Sequence, residues 1–212
     1  MKLRHAFTLV EMLVVLCILG LLSSLGFSLV RRSLESGRRM QCLGNVRQIG
    51  MATQMYVADH EGRLPHTSHS LAGGESQSWI RTLGTYLGPD FIGRCPSNPT
   101  SRAAVSYAWN DVLTESAAGQ GGVGIRVSLL TDPSQTLALA EHADGYLAEH
   151  FHFAGTKGGP QRISANAFRA SVGVERHGDS ANYLFADGRA ACLPWTEVQR
   201  RLRRSQSKFL VP

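Results

Sequence analysis

A single carboxylate, Glu11, lies near the start of a 24-residue run, 7–30, that is otherwise free of charge. A helix needs about 20 mostly apolar residues to cross the hydrocarbon core of a bilayer. The run therefore predicts a transmembrane helix over residues 7–30. An acid in such a segment costs on the order of 2.5–3.5 kcal/mol near the bilayer centre, and it is usually retained for a function. We therefore expect Glu11 to have a cationic partner.

The residues before this run form a short basic segment, 1–6, that contains Lys2 and Arg4. If the chain is cut between Ala6 and Phe7, the new α-ammonium group of Phe7 lies one helical turn from Glu11, where opposite charges can pair. With its Phe-Thr-Leu-Val-Glu segment, this region resembles the type IV pilin and type II secretion pseudopilin family. The family usually has Gly before the cut, and Ala6 is the nearest substitute in size. The resemblance implies cleavage after Ala6 by a prepilin peptidase and N-methylation of Phe7.

Two other interpretations of the amino terminus remain open. An ordinary secretory signal peptide would be cut after the small-x-small site Ser24-Leu25-Gly26, and a plain signal anchor would not be cut at all. Glu11 inside the apolar run argues against both, because neither product supplies the charge with a partner.

The net charge of +6 is carried mostly by arginine. More basic residues follow the apolar run than precede it, which by the positive-inside rule favours the opposite orientation to that of a pilin. The pilin resemblance instead implies a single-pass inner-membrane protein with an extracytoplasmic carboxy-terminal domain. The basic residues are otherwise scattered and accompany no recognition motif, so we do not expect nucleic acid as a partner.

The helical pattern continues beyond the apolar run. Apolar or small residues recur at three- and four-residue steps along one face: Leu43, Val46, Gly50, Thr53 and Val57. Gly62 and Pro65 are typical of a helix end. We therefore expect a leader at 1–6, a membrane helix at 7–30, its continuation at 31–61 and a globular head at 62–212. Within the head, the sequence predicts a short helix over Trp79–Leu87 and a strand over Thr136–Ala140.

His177 is followed by Asp187 and Gly188 in an H-x9-DG pattern. This pattern, with the segments 42–50 and 94–97, resembles a large group of bacterial prepilin-like proteins that carry the same signature. The resemblance implies a pilin-like α+β fold, in which a long amino-terminal helix, half of it transmembrane, carries a small head with an antiparallel sheet. Asp187 and Gly188 also predict a two-residue type I′ hairpin turn between two apolar strands.

Side-chain chemistry suggests structure more than catalysis. His177 and Asp187 can hydrogen-bond across the base of the hairpin. A less favoured alternative is calcium held by Asp179 and Asp187, although two carboxylates fall short of the usual 6–8 oxygen ligands. A zinc site is also weakly suggested, by two histidine pairs: His66 with His69, and His150 with His152.

Three cysteines lie outside the apolar run: Cys42, Cys95 and Cys192. In an oxidising compartment this number allows one disulfide and one free thiol. We predict a disulfide between Cys42 and Cys95. The chain lacks the C-x-x-C spacing of common zinc sites, and we expect no cofactor.

These observations predict a structural subunit and not an enzyme. Its partners would be a prepilin peptidase, the membrane and other pilin-like subunits, in a type IV pilus or a type II secretion-like system. The alternative is a membrane-anchored extracytoplasmic binding module that does not polymerise.

Overall fold

The computed structural model describes residues 8–67, 78–89, 91, 93–98, 105–115, 123–151, 163–204 and 208–210. The chain divides into two compact units, Met1–Gly37 and Arg38–Pro212. We refer to the second unit as the head. The division falls within the first helix, α1, which covers Leu9–Asp59.

Helix α1 begins with a capping box. The backbone N–H and the hydroxyl of Thr8 donate to Oε2 of Glu11 at 2.8 and 2.7 Å, and the hydroxyl accepts from the Glu11 N–H at 3.3 Å. Such reciprocal bonds satisfy donors that the first helical turn leaves unpaired. The helix ends where Glu61 and Gly62 adopt positive φ angles of 53° and 77°, and the Gly62 N–H bonds to the Val57 carbonyl. The long helix predicted from the sequence is thus confirmed.

In the first unit, the large apolar side chains of α1 are exposed. Their exposed fractions range from 45% at Val15 to 81% at Leu9. In the part of the chain that the structure describes, no helix is both long enough and apolar enough to cross a membrane. The transmembrane helix predicted over 7–30 is therefore not confirmed.

The head contains a five-stranded sheet, formed by β1 (Tyr107–Asn110), β4 (Leu137–Glu141), β5 (His150–Phe151), β6 (Ser180–Phe185) and β7 (Ala190–Pro194). The order of the strands across the sheet is β5-β1-β4-β6-β7. Neighbouring strands are antiparallel, except that β1 and β5 are parallel. A separate antiparallel pair consists of β2 (Thr114–Glu115) and β3 (Val123–Gly124). The predicted α+β class with an antiparallel sheet is therefore confirmed, with one parallel pair added at the sheet edge.

The described part of the head also contains four shorter α-helices: α2 (Trp79–Thr82), α3 (Gly84–Leu87), α4 (Ala165–Ser171) and α5 (Trp195–Arg203). The helix predicted over Trp79–Leu87 is present as α2 and α3, and the predicted strand at Thr136–Ala140 is β4. Helix α5 has no counterpart among the predicted elements.

Every residue of β1, β4 and β6 is buried. Because successive side chains of a strand point to opposite sides, other elements must cover both faces of these strands. Tyr183 and Phe185 of β6 pack with Trp195 of α5 on one face. Leu184 packs with Ile49 of α1 on the other face. The residues of α1 that cover the sheet include most of the face predicted from helical spacing, so the amino-terminal helix is an integral part of the head's core.

Candidate functional site

The site most unusual for its chemistry is a buried cluster around a disulfide. Cys42 of α1 is bonded to Cys95, which lies in a loop, across a Cα–Cα distance of 5.2 Å. This is the pair predicted from the sequence, and both residues are almost fully enclosed. The disulfide fixes the segment before β1 to the helix that packs on the sheet.

A histidine and a glutamate lie against this disulfide. Nε2 of His177 is 3.0 Å from Oε1 of Glu141 and 3.7 Å from Sγ of Cys95. The other carboxylate oxygen, Oε2, accepts a hydrogen bond from the backbone N–H of Asn182 at 2.9 Å. The cluster is thus formed by Cys42, Cys95, Glu141 and His177, with one potential ligand atom from each residue lying within 4.8 Å of the others.

Local structure explains how Glu141 and His177 meet. Glu141 is the last residue of β4, and its neighbour β6 begins just after His177. The turn before β6 is held by the bond from the His177 N–H to the Ser180 carbonyl. The antiparallel pairing of β4 and β6 therefore places the end of one strand beside the start of the other.

The surroundings of the cluster raise the pKa of two neighbouring tyrosine hydroxyls. Burial, together with the negative charge of Glu141, raises the pKa of the Tyr107 hydroxyl and the pKa of the Tyr183 hydroxyl. A buried carboxylate is costly without a partner. The imidazole of His177 and the Asn182 N–H provide that compensation, so the pair has a clear structural role.

The predicted hydrogen bond between His177 and Asp187 is wrong. His177 precedes β6 and Asp187 follows it. Because a strand rises about 3.3 Å per residue, the two residues are separated by on the order of 17 Å. Asp179 and Asp187 likewise lie beyond opposite ends of β6, so they are not placed to share one calcium ion.

Asp187 and Gly188 do form the turn of the β6–β7 hairpin, but its type differs from the prediction. Only Gly188 has a positive φ, 85°, and its N–H bonds to the Phe185 carbonyl. The loop is therefore a three-residue type I turn followed by a glycine bulge, and not a type I′ turn. The Asp187 carboxylate accepts from the Arg189 N–H at 3.0 Å, which stabilises the turn.

Gly188 has a second role, because the hairpin tip approaches α1 closely. A Cβ atom on Gly188 would lie 2.7 Å from Cγ of Gln54. A Cβ atom on Gly50 of α1 would lie 2.6 Å from the carbonyl oxygen of Gly188. The Asp-Gly half of the signature thus shapes a backbone contact, whereas the histidine half supports the disulfide.

The remaining predicted residues are dispersed. Glu11 lies at the start of α1 in its capping box, and Ala6 and Phe7 lie outside the described residues. His69 and His152, one member of each predicted histidine pair, also lie outside them. His150 is in β5, with Nδ1 3.4 Å from the Glu149 carboxylate.

Sequence reasoning missed Glu141. A lone acid at the end of the apolar segment Leu137–Ala140 was the available signal, because an acid that continues a buried strand needs a partner. Its spacing from His177 gave no indication that the two residues meet.

Two family models match the chain. The model described as "Prokaryotic N-terminal methylation motif" matches residues 1–27. The model described as "Protein of unknown function (DUF1559)" matches residues 33–147, more than half of the 212 residues. No curated protein and no solved structure shows a significant similarity to the chain. The chain therefore belongs to the DUF1559 family and carries the amino-terminal methylation motif of prepilin-like proteins.

Proposed function

We propose that this protein is a structural subunit of a pilin-like assembly, either a type IV pilus or a type II secretion-like pseudopilus. In this proposal a prepilin peptidase cuts the precursor after Ala6 and methylates Phe7. The observation that carries the proposal is the methylation motif over residues 1–27, which coincides with the start of α1. Such a motif favours a structural role over an enzymatic one.

The exposed surface of the first unit supports assembly through α1. Large apolar side chains are exposed around its circumference: Leu9, Val10, Met12, Leu13, Val14, Val15, Leu16, Ile18, Leu19, Leu21, Leu22, Phe27, Leu29 and Val30. An apolar surface of this extent requires a partner. We propose that this partner is first the inner membrane, with the head outside the cytoplasm, and then the equivalent helices of neighbouring subunits.

Glu11 has a specific role in this proposal. In the structure its carboxylate bonds to the N–H and hydroxyl of Thr8, so the acid is held at the first turn of α1. After cleavage the α-ammonium group of Phe7 would lie next to Thr8 at this end of the helix. A neighbouring subunit's ammonium group that meets Glu11 would neutralise the charge and set the axial step between subunits.

The experiment compares Glu11→Ala with Glu35→Ala, a control acid in the same helix. Assembly is measured by thiol cross-linking through Cys17, which is exposed on α1. We expect Glu11→Ala to be inserted and cleaved but to lose most of the cross-linked dimer, whereas Glu35→Ala retains it. The Cys17→Ser variant shows that the cross-link comes from this position.

Unchanged cross-linking of Glu11→Ala would remove the proposed role of the acid. If the unsubstituted protein yields no cross-linked dimer but binds polyanions in a salt-sensitive way, the result favours the non-polymerising binding module.

A further inference from the structure

The buried cluster in the head combines the ligand types that zinc prefers: two cysteine sulfurs, an imidazole nitrogen and a carboxylate oxygen. We infer that Cys42, Cys95, Glu141 and His177 form a four-ligand Zn²⁺ site in the chain whose two cysteines are thiols. The same residues form the disulfide and its support once the thiols are oxidised. The inference concerns the head alone and does not depend on assembly through α1.

Distances within the cluster suit a tetrahedral ion. With zinc bonds of about 2.3 Å to sulfur and about 2.0–2.2 Å to nitrogen and oxygen, the edges of the tetrahedron are about 3.5 Å for S–N and about 3.3 Å for N–O. The corresponding distances are 3.7 Å from Cys95 Sγ to His177 Nε2 and 3.0 Å from Nε2 to Glu141 Oε1. The two sulfurs, which are bonded to each other in the disulfide, must separate to bind the ion, and all four ligand atoms already lie within 4.8 Å of one another.

The surroundings also suit a metal. The Asn182 N–H donates to Oε2 of Glu141, which orients the carboxylate and leaves Oε1 directed at the cluster. Hydrogen bonds of this kind hold the ligands in most zinc sites. All four residues are buried, so water has little access.

The zinc-bound form converts to the disulfide form by a two-electron oxidation. The chain is synthesised with both cysteines as thiols, and Zn²⁺ binding releases one proton from each of them. An oxidant of the protein-disulfide class then accepts two electrons from the two thiolates, takes up two protons from water to become a dithiol, and leaves a Cys42–Cys95 disulfide. Zn²⁺ is released, because disulfide sulfurs are not the thiolate ligands that it requires. His177 and Glu141 then remain as a hydrogen-bonded pair.

The test uses the full chain in detergent with Cys17 and Cys192, the free cysteines of the described residues, replaced by serine. One sample is kept oxidised and another is reduced with a water-soluble phosphine, which removes the oxidising equivalents as phosphine oxide. Each sample is incubated with zinc chloride and desalted, and bound zinc is measured by mass spectrometry. We expect about one zinc per reduced chain and none above background in the oxidised chain.

Cobalt provides a second measurement. Co²⁺ added to the reduced protein should give the visible absorption of a tetrahedral site and a thiolate charge-transfer band, and both should disappear on addition of zinc. His177→Ala and Glu141→Gln should weaken zinc retention at least tenfold, whereas His60→Ala, at an exposed histidine outside the cluster, should leave it unchanged.

A cluster variant can lose zinc simply because it unfolds. Thermal unfolding of the parent protein therefore provides a measurement that does not depend on the variants. Zinc should raise the unfolding temperature of the reduced form and leave that of the oxidised form unchanged, because only a ligand of the folded state stabilises it. Equal zinc binding by the two forms, or a reduced protein that remains folded and binds none, would overturn the inference.

Discussion

Nε2 of His177 lies 3.0 Å from Oε1 of Glu141, with both side chains almost completely enclosed in the head. The residues are 36 positions apart in the chain, and the pairing of β4 with β6 brings them together. The histidine of the H-x9-DG signature is therefore part of a buried electrostatic pair beside a disulfide.

Removing one partner of this pair should destabilise the head strongly. We expect His177→Ala to lower the free energy of unfolding by about 3–5 kcal/mol, because the Glu141 charge is then buried without its partner. Urea unfolding followed by tryptophan fluorescence measures the change. The control is Glu61→Gln in the exposed pair with Arg126, where the expected loss is at most about 1 kcal/mol. Equal effects of the two substitutions would contradict the proposed role of the buried pair.

The disulfide should contribute a comparable amount. Cys42 and Cys95 are separated by 53 positions, for which loop entropy predicts a stabilisation of about 4 kcal/mol. We expect the Cys42→Ser/Cys95→Ser protein to unfold at a clearly lower temperature in the absence of added metal. Cys192→Ser, at the free thiol of β7, should change the unfolding temperature little. A double variant as stable as the parent would show that the disulfide does not stabilise the head.

Two glycines of α1 should respond differently to replacement by alanine. Alanine is a better helix former than glycine by about 1 kcal/mol, and a Cβ at Gly44 has nothing within 4 Å. Gly44→Ala should therefore stabilise the protein or leave it unchanged. Gly50→Ala should destabilise it, since the added Cβ would lie 2.6 Å from the Gly188 carbonyl oxygen. Chemical denaturation of both variants checks the sign, and a stabilised Gly50→Ala protein would contradict the close contact with the hairpin.

Stability should fall at alkaline pH. Burial and the charge of Glu141 raise the pKa of Tyr107 and the pKa of Tyr183 above their unfolded value of about 10. The folded state then retains protons that the unfolded state releases, so the contribution of these two tyrosines to the free energy of unfolding is constant below about pH 10 and decreases above it.

The Tyr183→Phe variant tests this dependence. The Tyr183 hydroxyl is buried and has no hydrogen-bond partner among the described residues, so its removal should cost little at neutral pH. The variant should lose less stability than the parent between neutral pH and about pH 11. Identical pH profiles for the two proteins would show that Tyr183 does not contribute.

The parts of the fold that repeat a local pattern could be predicted from the sequence. The spacing of Leu43, Val46 and Thr53 gave the buried face of α1, because helical periodicity depends only on neighbouring residues. The hairpin at Asp187 and Gly188 was located for the same reason. Its turn type was assigned incorrectly, because an Asp-Gly pair is compatible both with a type I′ turn and with a type I turn followed by a glycine bulge.

The candidate site was only partly predictable. The small number of cysteines outside the apolar run limited the disulfide to a few pairs, and the predicted pair is present. The partner of His177 was assigned incorrectly, because proximity in sequence suggested Asp187 whereas the register of β4 and β6 selects Glu141. Contacts between strands that are distant in sequence depend on the complete sheet.

The central proposal, that the chain is a prepilin-like subunit, is tested most directly by the amino terminus of the protein isolated from its native membrane. Intact-mass measurement with amino-terminal sequencing should identify Phe7 as the first residue and show the added mass of one methyl group. That product retains α1 and creates a positive charge close to Glu11. A mature chain that begins at Phe27 would instead indicate signal-peptidase cleavage, and it would contradict both the processing and assembly through α1.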